Sequence, residues 1–435
     1  MQTSQAPAID LPSAPRLAEP KSLPALRVIR HHRLALAAGL VILIAGLALR
    51  LSPFFGVPDH KTLDEGLYIY NVKLVQMVGP FQYPALVERY VEKQSAMSAV
   101  MLPPTRCMYI LLAWAWDAMF HTGPMMALRT VAAIFSTLSF LLAGLFAYRL
   151  GGVRYALVVG ALMAVAPMEL MLAHRELVDG VFAFWALLCL WLLWENLERP
   201  GKLGWLAAYA GAIACMVLTK ENAFFAAVGL GGTLCAMTFV PGLKTGRPAW
   251  SLFIATFAGG VMGALVLVCM AGSVHTLLET YHLLVVKAEK MDFAYQTGGG
   301  PWFRYLVDLM LISPMVLLPA IGGIFALRRD NREGVFLFLF VLFSCAVMVN
   351  VKNGMNVRYA TMWDMPLRFL AAGILLQMAG CVRRAPVLAA VALVALIGAS
   401  ELHHYWLYFV KDDIGEPVTQ YLMWASQIVR TGPAR

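Results

Sequence analysis

Arg106-Cys107-Met108-Tyr109-Ile110-Leu111-Leu112-Ala113-Trp114-Ala115-Trp116-Asp117-Ala118-Met119-Phe120 is the run on which the topology turns. It is apolar, yet shorter than the roughly 20 residues that cross a bilayer. Other apolar runs fall at 34–49, 127–148, 153–170, 180–194, 203–218, 222–240, 250–271, 305–327, 334–350, 365–381 and 386–400. If 106–120 crosses, the clusters Arg149/Arg154, Arg199/Lys202, Lys244/Arg247, Arg328/Arg329/Arg332 and Arg383/Arg384 all face away from the cytoplasm. If it does not, every one of them faces the cytoplasm with the basic N-terminal tail. The positive-inside rule selects the second arrangement. The chain then reads as an all-α polytopic membrane protein of about 11 transmembrane helices. Residues 52–126 form a large first outer loop, in which 106–120 is an interfacial or shallowly dipping helix.

Composition agrees with that class. Sixty per cent of the residues are hydrophobic, 14% are charged, and the mean hydropathy is +0.70, which excludes a soluble domain of 435 residues. The net charge of +9 is scattered between spans, so it reports membrane orientation and not a nucleic-acid partner. Seven cysteines lie almost entirely in apolar runs without CxxC spacing, the pattern of packed free thiols. Residues 1–33 read as a disordered basic cytoplasmic tail ending in Arg27, Arg30 and Arg33. No small-x-small cleavage site follows 34–49, so that run reads as a retained first helix. Residues 34–400 form the transmembrane domain and 401–435 a short outer tail.

Within the outer loop, Leu63, Leu67, Tyr70, Leu74 and Met77 recur at helical spacing, and Gly79-Pro80 ends the pattern. This predicts an amphipathic helix lying in the interface, with Asp64 and Glu65 in its first turn, where the helix dipole favours negative charge. The same topology puts Arg106, His174-Arg175-Glu176, Asp179, Lys220-Glu221, the loop 272–304 and the stretch Lys352 to Asp364 at the outer face. Charges at helix ends commonly anchor the interface. A convergence of carboxylates with Lys and Arg on one face also suits an anionic lipid headgroup and a proton acceptor. The run His275, Glu279, His282, Lys287, Glu289, Lys290, Asp292 mixes signs and reads first as a solvated face and second as a cap over the site; Gly298-Gly299-Gly300 would give such a cap flexibility and lacks the context of a nucleotide loop.

Leu63-Asp64-Glu65-x-x-Tyr68 followed by Gly79 resembles the first outer loop of the GT-C glycosyltransferases, closest to the protein O-mannosyltransferases and bacterial lipid A aminoarabinose transferases. Pro103-Pro104, Arg129, Arg149-Leu150-Gly151-Gly152, Ala166-Pro167, Arg175 with Asp179, and Thr219-Lys220 match in order. Gly300-Pro301-Trp302-Phe303-Arg304-Tyr305-Leu306 and Arg358-Tyr359 with Pro366 continue the series. The basic residue that usually accompanies the proline pair is absent; Leu102 stands before it and Arg106 is the nearest substitute. The soluble C-terminal domain of many relatives is also absent.

The resemblance implies a sugar carried on a polyprenyl phosphate, a single inverting displacement by an acceptor hydroxyl, and action at the outer face of the plasma or inner membrane. It implies Asp64 as general base, with Glu65 and Asp179 orienting the acceptor or fixing basic groups. Lys220 and Arg358, then Arg175 and Arg106, would hold the donor phosphate, with Tyr68, Tyr359 and Trp302 in support. No cofactor is required by this reading; a divalent ion held by Asp64, Asp179 and His174 stays open. The acceptor, whether protein, lipid or glycan, is not specified. A transporter or lipid flippase is the main alternative and a catalytically silent scaffold the third.

Overall fold

The computed structural model describes residues 25–57, 62–98, 100–243, 250–288, 299–351 and 355–429. The tail 1–24, Lys244, Arg247, Glu289, Lys290, Asp292, Gly298 and Lys352 lie outside the described residues. The described chain forms seventeen α-helices and no strand. First come α1 (Ala25–Leu51), α2 (Leu63–Val78), α3 (Tyr83–Ala96) and α4 (Cys107–Phe120). Next are α5 (Pro124–Ala164), α6 (Pro167–Ala173), α7 (Asp179–Glu198), α8 (Leu203–Thr219), α9 (Ala223–Phe239), α10 (Trp250–Ala271) and α11 (Val274–Ala288). The last are α12 (Arg304–Ile312), α13 (Pro314–Phe325), α14 (Arg332–Met348), α15 (Thr361–Cys381), α16 (Pro386–Tyr405) and α17 (Thr419–Ala425).

Five of these helices are long and apolar enough to cross a membrane by length and composition alone. All the apolar runs read from the sequence are helical. The 14 residues of α4 rise only about 21 Å, short of the ~30 Å hydrocarbon core. It packs instead on α2, α5 and α8. A second, smaller apolar core joins α2, α3 and α4 to the bundle through Tyr68, Val72, Leu86, Tyr109, Leu128, Val181 and Leu267.

As a straight rod α5 would be about 60 Å long, twice what a bilayer accommodates. Gly152 breaks it with φ +72° and ψ −167°, a conformation open to glycine alone, and the two halves correspond to separate apolar runs. At the far end Pro167 starts a new helix, which interrupts the ladder at the carbonyls of residues 162–164 and leaves Met163 O a long turn bond from Ala166 N at 3.4 Å. Two buried arginines supply donors to these carbonyls. Arg368 donates to Leu162 O at 3.0 Å, and Arg50 to Met163 O at 2.7 Å and Ala164 O at 3.0 Å.

A buried charge persists only when paired and hydrogen-bonded. Arg368 therefore also meets Asp364 at 2.9 Å and Glu401 at 2.6 Å. Asp364, expected at the outer interface, is thus consumed by a structural network. Glu401, the first residue of the stretch 401–435 expected as a short outer tail, is part of α16, and the chain beyond continues through a π-helical turn at 406–411 to α17.

The expected interfacial helix is α2, and its capping defines the site. Thr62 and Glu65 form a capping box: the Glu65 carboxylate accepts from Thr62 N at 2.6 Å and from its hydroxyl at 3.1 Å, while Glu65 N donates back at 3.5 Å. Gly79 at φ +83° ends the helix where expected. The helix buries Glu65, Tyr68, Asn71, Val72 and Val75; of the expected apolar stripe, Leu63 and Met77 are exposed and Tyr70 is partly covered, with Lys93 against it. Replacing Thr62→Ala should lower stability by about 1 kcal/mol. Thermal unfolding in nanodiscs checks this, and an unchanged midpoint would mean that the box does not hold the helix start.

Candidate active site

The N-termini of α2, α7 and α15, the C-terminus of α8 and the segment after α16 meet at one end of the bundle. Arg149–Glu195 and Arg332–Glu198 pairs mark the opposite end. Most of the residues expected at the outer face converge here, in three linked ionic groups.

The first is centred on Arg358, in a 3-10 turn just before α15. Asn356 caps that turn, accepting Arg358 N at 3.0 Å, and Thr361 Oγ1 donates to Arg358 O at 2.8 Å. The guanidinium is 2% exposed. Its Nη2 lies 2.8 Å from Asp64 Oδ2 and 2.8 Å from Glu416 Oε2. Its Nε and Nη1 are buried without a hydrogen-bond partner among the described residues. Glu416 also accepts from Asn356 Nδ2 at 2.7 Å.

In the second group Lys220, at the C-terminus of α8, pairs with Asp179 at 2.5 Å and sits 4.0 Å above the Tyr359 ring. In the third, Arg106 grips both oxygens of Glu221, with Nε–Oε2 at 3.1 Å, and donates to the Tyr68 hydroxyl. Tyr68 reaches this position because α2 turns it inward, edge-on to Tyr109.

The electrostatics join these groups. Burial lowers the Lys220 ammonium from its usual range, with Asp179 opposing. Burial also works against Arg358, but Glu416 and Asp64 outweigh it and hold the guanidinium well above its ordinary value. Burial raises Glu416 to about 7 against the pull of Arg358, aided by the nearby Asp64 and Asp179 charges. The folded protein therefore holds this proton more tightly than the unfolded chain. Glu416's contribution to stability is present below pH 4.5 and lost as pH rises through about 7.

Other expected residues fall beside this centre. Glu65 is 1% exposed and, besides its cap, pairs with Arg175 at 3.4 Å. Arg175 is shared between Glu65 and Asp413. Trp302 is 70% exposed and stacks edge-on against Phe303, apart from the ionic groups. His174 Nε2 is 2.7 Å from Leu49 O. Among the described residues no group of three His, Cys, Asp or Glu side chains gathers to hold a metal ion. Asp64 and Asp179 both face cations instead.

Glu416, Asp413 and Asn356 were not singled out from sequence. The acidic run Asp412-Asp413-Ile414-Gly415-Glu416, which follows the last apolar run, was the available signal. Thr62-x-x-Glu65 likewise carried the capping-box signature.

Residues 109–277 match the family described as dolichyl-phosphate-mannose-protein mannosyltransferase. Among solved structures, ArnT from Cupriavidus metallidurans in the apo state superposes with a TM-score of 0.51 at 16% identity, covering 87% of this chain and 72% of that one. The Archaeoglobus fulgidus oligosaccharyltransferase in complex with Zn and sulfate gives 0.56 at 14% identity, over 84% of this chain and 53% of that one. The archaeal oligosaccharyltransferase AglB from Archaeoglobus fulgidus, in complex with an inhibitory peptide and a dolichol-phosphate, gives 0.55 at 13% identity, over 92% of this chain and 56% of that one. No curated protein matches the sequence significantly. These matches show a fold shared with ArnT and the archaeal oligosaccharyltransferase, and a segment, residues 109–277, similar to the dolichyl-phosphate-mannose-protein mannosyltransferase family.

Proposed function

We propose that the chain moves a sugar from a polyprenyl-phosphate donor to an acceptor hydroxyl, by a single inverting displacement at the outer face of the membrane. The observation that carries this reading is Arg358, a buried guanidinium beside Asp64 with two donors unspent. Planar, desolvated N–H groups of this kind match phosphate oxygens. Binding of a dolichol-phosphate by AglB, which shares the fold, supports a lipid-phosphate donor.

The chemistry assigns each group a task. The acceptor oxygen forms a bond to the anomeric carbon as its proton passes to Asp64, since a neutral hydroxyl is a poor nucleophile. The bond from that carbon to the phosphate oxygen breaks, and its electron pair leaves with the lipid phosphate. One displacement inverts the anomeric centre. Arg358 and Lys220 face the charge that develops on the leaving phosphate, and Asp179 holds Lys220 in place. Arg106, tied to Glu221 and Tyr68, braces the wall of the site and sets its field. The buried arginines 50 and 368 are spent on helix carbonyls and carboxylates, so they offer no path for a transported ion.

Vesicles carrying the purified protein and a radiolabelled polyprenyl-phosphate sugar test the reading. Lys220→Ala should cut transfer about 100-fold, as loss of one preorganised charge stabiliser does. Sugar transfer that is indifferent to Lys220, or lipid translocation without transfer, would defeat the assignment.

A further inference from the structure

Asp64 and Glu416 meet Arg358 at the same nitrogen, Nη2. A guanidinium grips a phosphate with two parallel N–H bonds, through the edge Nε/Nη2 or the edge Nη1/Nη2. Both edges use Nη2. The partnerless Nε and Nη1 cannot form a two-point grip together, so one carboxylate must leave Nη2 before a phosphate is held bidentately.

Three observations point to Glu416 as the one that leaves. Asp64 stands in the first turn of α2, a helix start locked by the Thr62–Glu65 box. Glu416 stands in irregular chain between the π-helical turn and α17. That chain is pinned on either side of Glu416: Asp413 adopts φ 45° and pairs with Arg175, and Ile414 and Val418 are buried. A Cβ on Gly415 would come within 2.4 Å of Thr62 Cγ2. The backbone is therefore held on both sides, so an exchange would move the Glu416 side chain alone; exposure does not separate the two carboxylates, at 21% for Glu416 and 24% for Asp64.

Charge gives the same answer. Arg358, Lys220 and Arg106 face Asp64, Asp179, Glu221 and Glu416, one carboxylate in excess, and the adjoining Arg175 lies between Glu65 and Asp413. An added phosphodiester suits this site only when one of these negative charges is withdrawn. The partners that Glu416 would give up, the Arg358 Nη2 and the Asn356 carboxamide, are also suitable donors to a phosphate oxygen.

We propose that Glu416 is the resident anion of the donor-phosphate subsite, and that the donor phosphodiester binds by exchanging with it on Arg358. This rests on the phosphate role of Arg358 proposed above. The Glu416 carboxyl, with a proton affinity centred at about 7, is neutral below that pH and competes as an anion above it. Arg358, Asp64 and Asp179 are the charged groups that act on it, with the Asn356 carboxamide as its neutral donor. Donor affinity should accordingly fall as pH rises through neutrality.

The test is equilibrium binding of a polyprenyl methyl phosphodiester, whose single charge is fixed across neutral pH and which has no sugar to transfer. Protein in nanodiscs is compared as wild type, Glu416→Gln, Glu416→Asp and Arg358→Ala. Glu416→Gln should bind roughly tenfold more tightly than wild type above neutral pH, because the competing state is removed, and should lose the pH dependence. Glu416→Asp, which keeps the charge, should retain that dependence. Equal or weaker binding by Glu416→Gln, with an unfolding midpoint like that of wild type, overturns the exchange. A Glu416→Gln protein that does not fold leaves the wild-type pH profile as the test, and a flat profile overturns the proposal. Wild-type affinity matched by Arg358→Ala would instead defeat the phosphate role of Arg358 itself.

Discussion

Asp64→Asn should lower the single-turnover rate of sugar transfer about 1000-fold, within the range expected for loss of a positioned general base. At 1.36 kcal/mol per tenfold this is about 4 kcal/mol of transition-state stabilisation. The substitution is nearly isosteric and leaves Arg358 its contact with Glu416 at 2.8 Å, so the cationic site survives. Removing a negative charge from the edge of the phosphate site should leave donor binding unchanged or tighter. A fall in rate without a fall in donor affinity thus separates a group acting in the transition state from one that merely shapes the pocket. Glu65→Gln is the natural control. Glu65 is spent on the Thr62 cap and on Arg175, so its loss should appear mainly in the unfolding midpoint. If Asp64→Asn turns over at the wild-type rate, Asp64 is not the base.

The fold was legible in the sequence because a bilayer leaves the backbone few choices. A run of apolar residues in hydrocarbon must satisfy its own N–H and C=O groups, so each one is a helix. Gly151-Gly152 divides α5 and Gly79 ends α2 for reasons of local conformation, which sequence also exposes. The site was legible in part. Asp64, Asp179, Lys220 and Arg358 are charged residues at helix ends, and a topology that places those ends on one side brings them together. Partner choice was not readable. That Arg175 would turn to Glu65 and Asp413, and Arg358 to Asp64 and Glu416, depends on side-chain contacts between residues distant in the chain, the first three of them more than 100 positions apart. Arg50 and Arg368 escaped for a different reason: their purpose is set by carbonyls freed at the Pro167 break, which no charge pattern records.

Arg358→Ala should have the largest effect of all, about 1000-fold or more on transfer, and donor binding should fall with it. Two losses coincide. The phosphate loses its planar donors, and Asp64 and Glu416 lose the counter-charge they share. Removing one partner of a buried ion pair typically costs about 3–5 kcal/mol, so reduced stability accompanies the functional loss and must be separated from it. Arg358→Lys makes that separation. A lysine keeps the positive charge for the two carboxylates but presents a point charge in place of a fork. It should restore the unfolding midpoint toward wild type while leaving donor affinity depressed, because one ammonium cannot satisfy the carboxylates and two phosphate oxygens together. Ligand-induced stabilisation reads both quantities in one experiment. Saturating phosphodiester should raise the midpoint of the wild type, raise that of Arg358→Lys only weakly, and leave that of Arg358→Ala unmoved. Equal shifts for wild type and Arg358→Lys would mean that charge alone is recognised, and the guanidinium geometry on which the site is built would carry no binding energy.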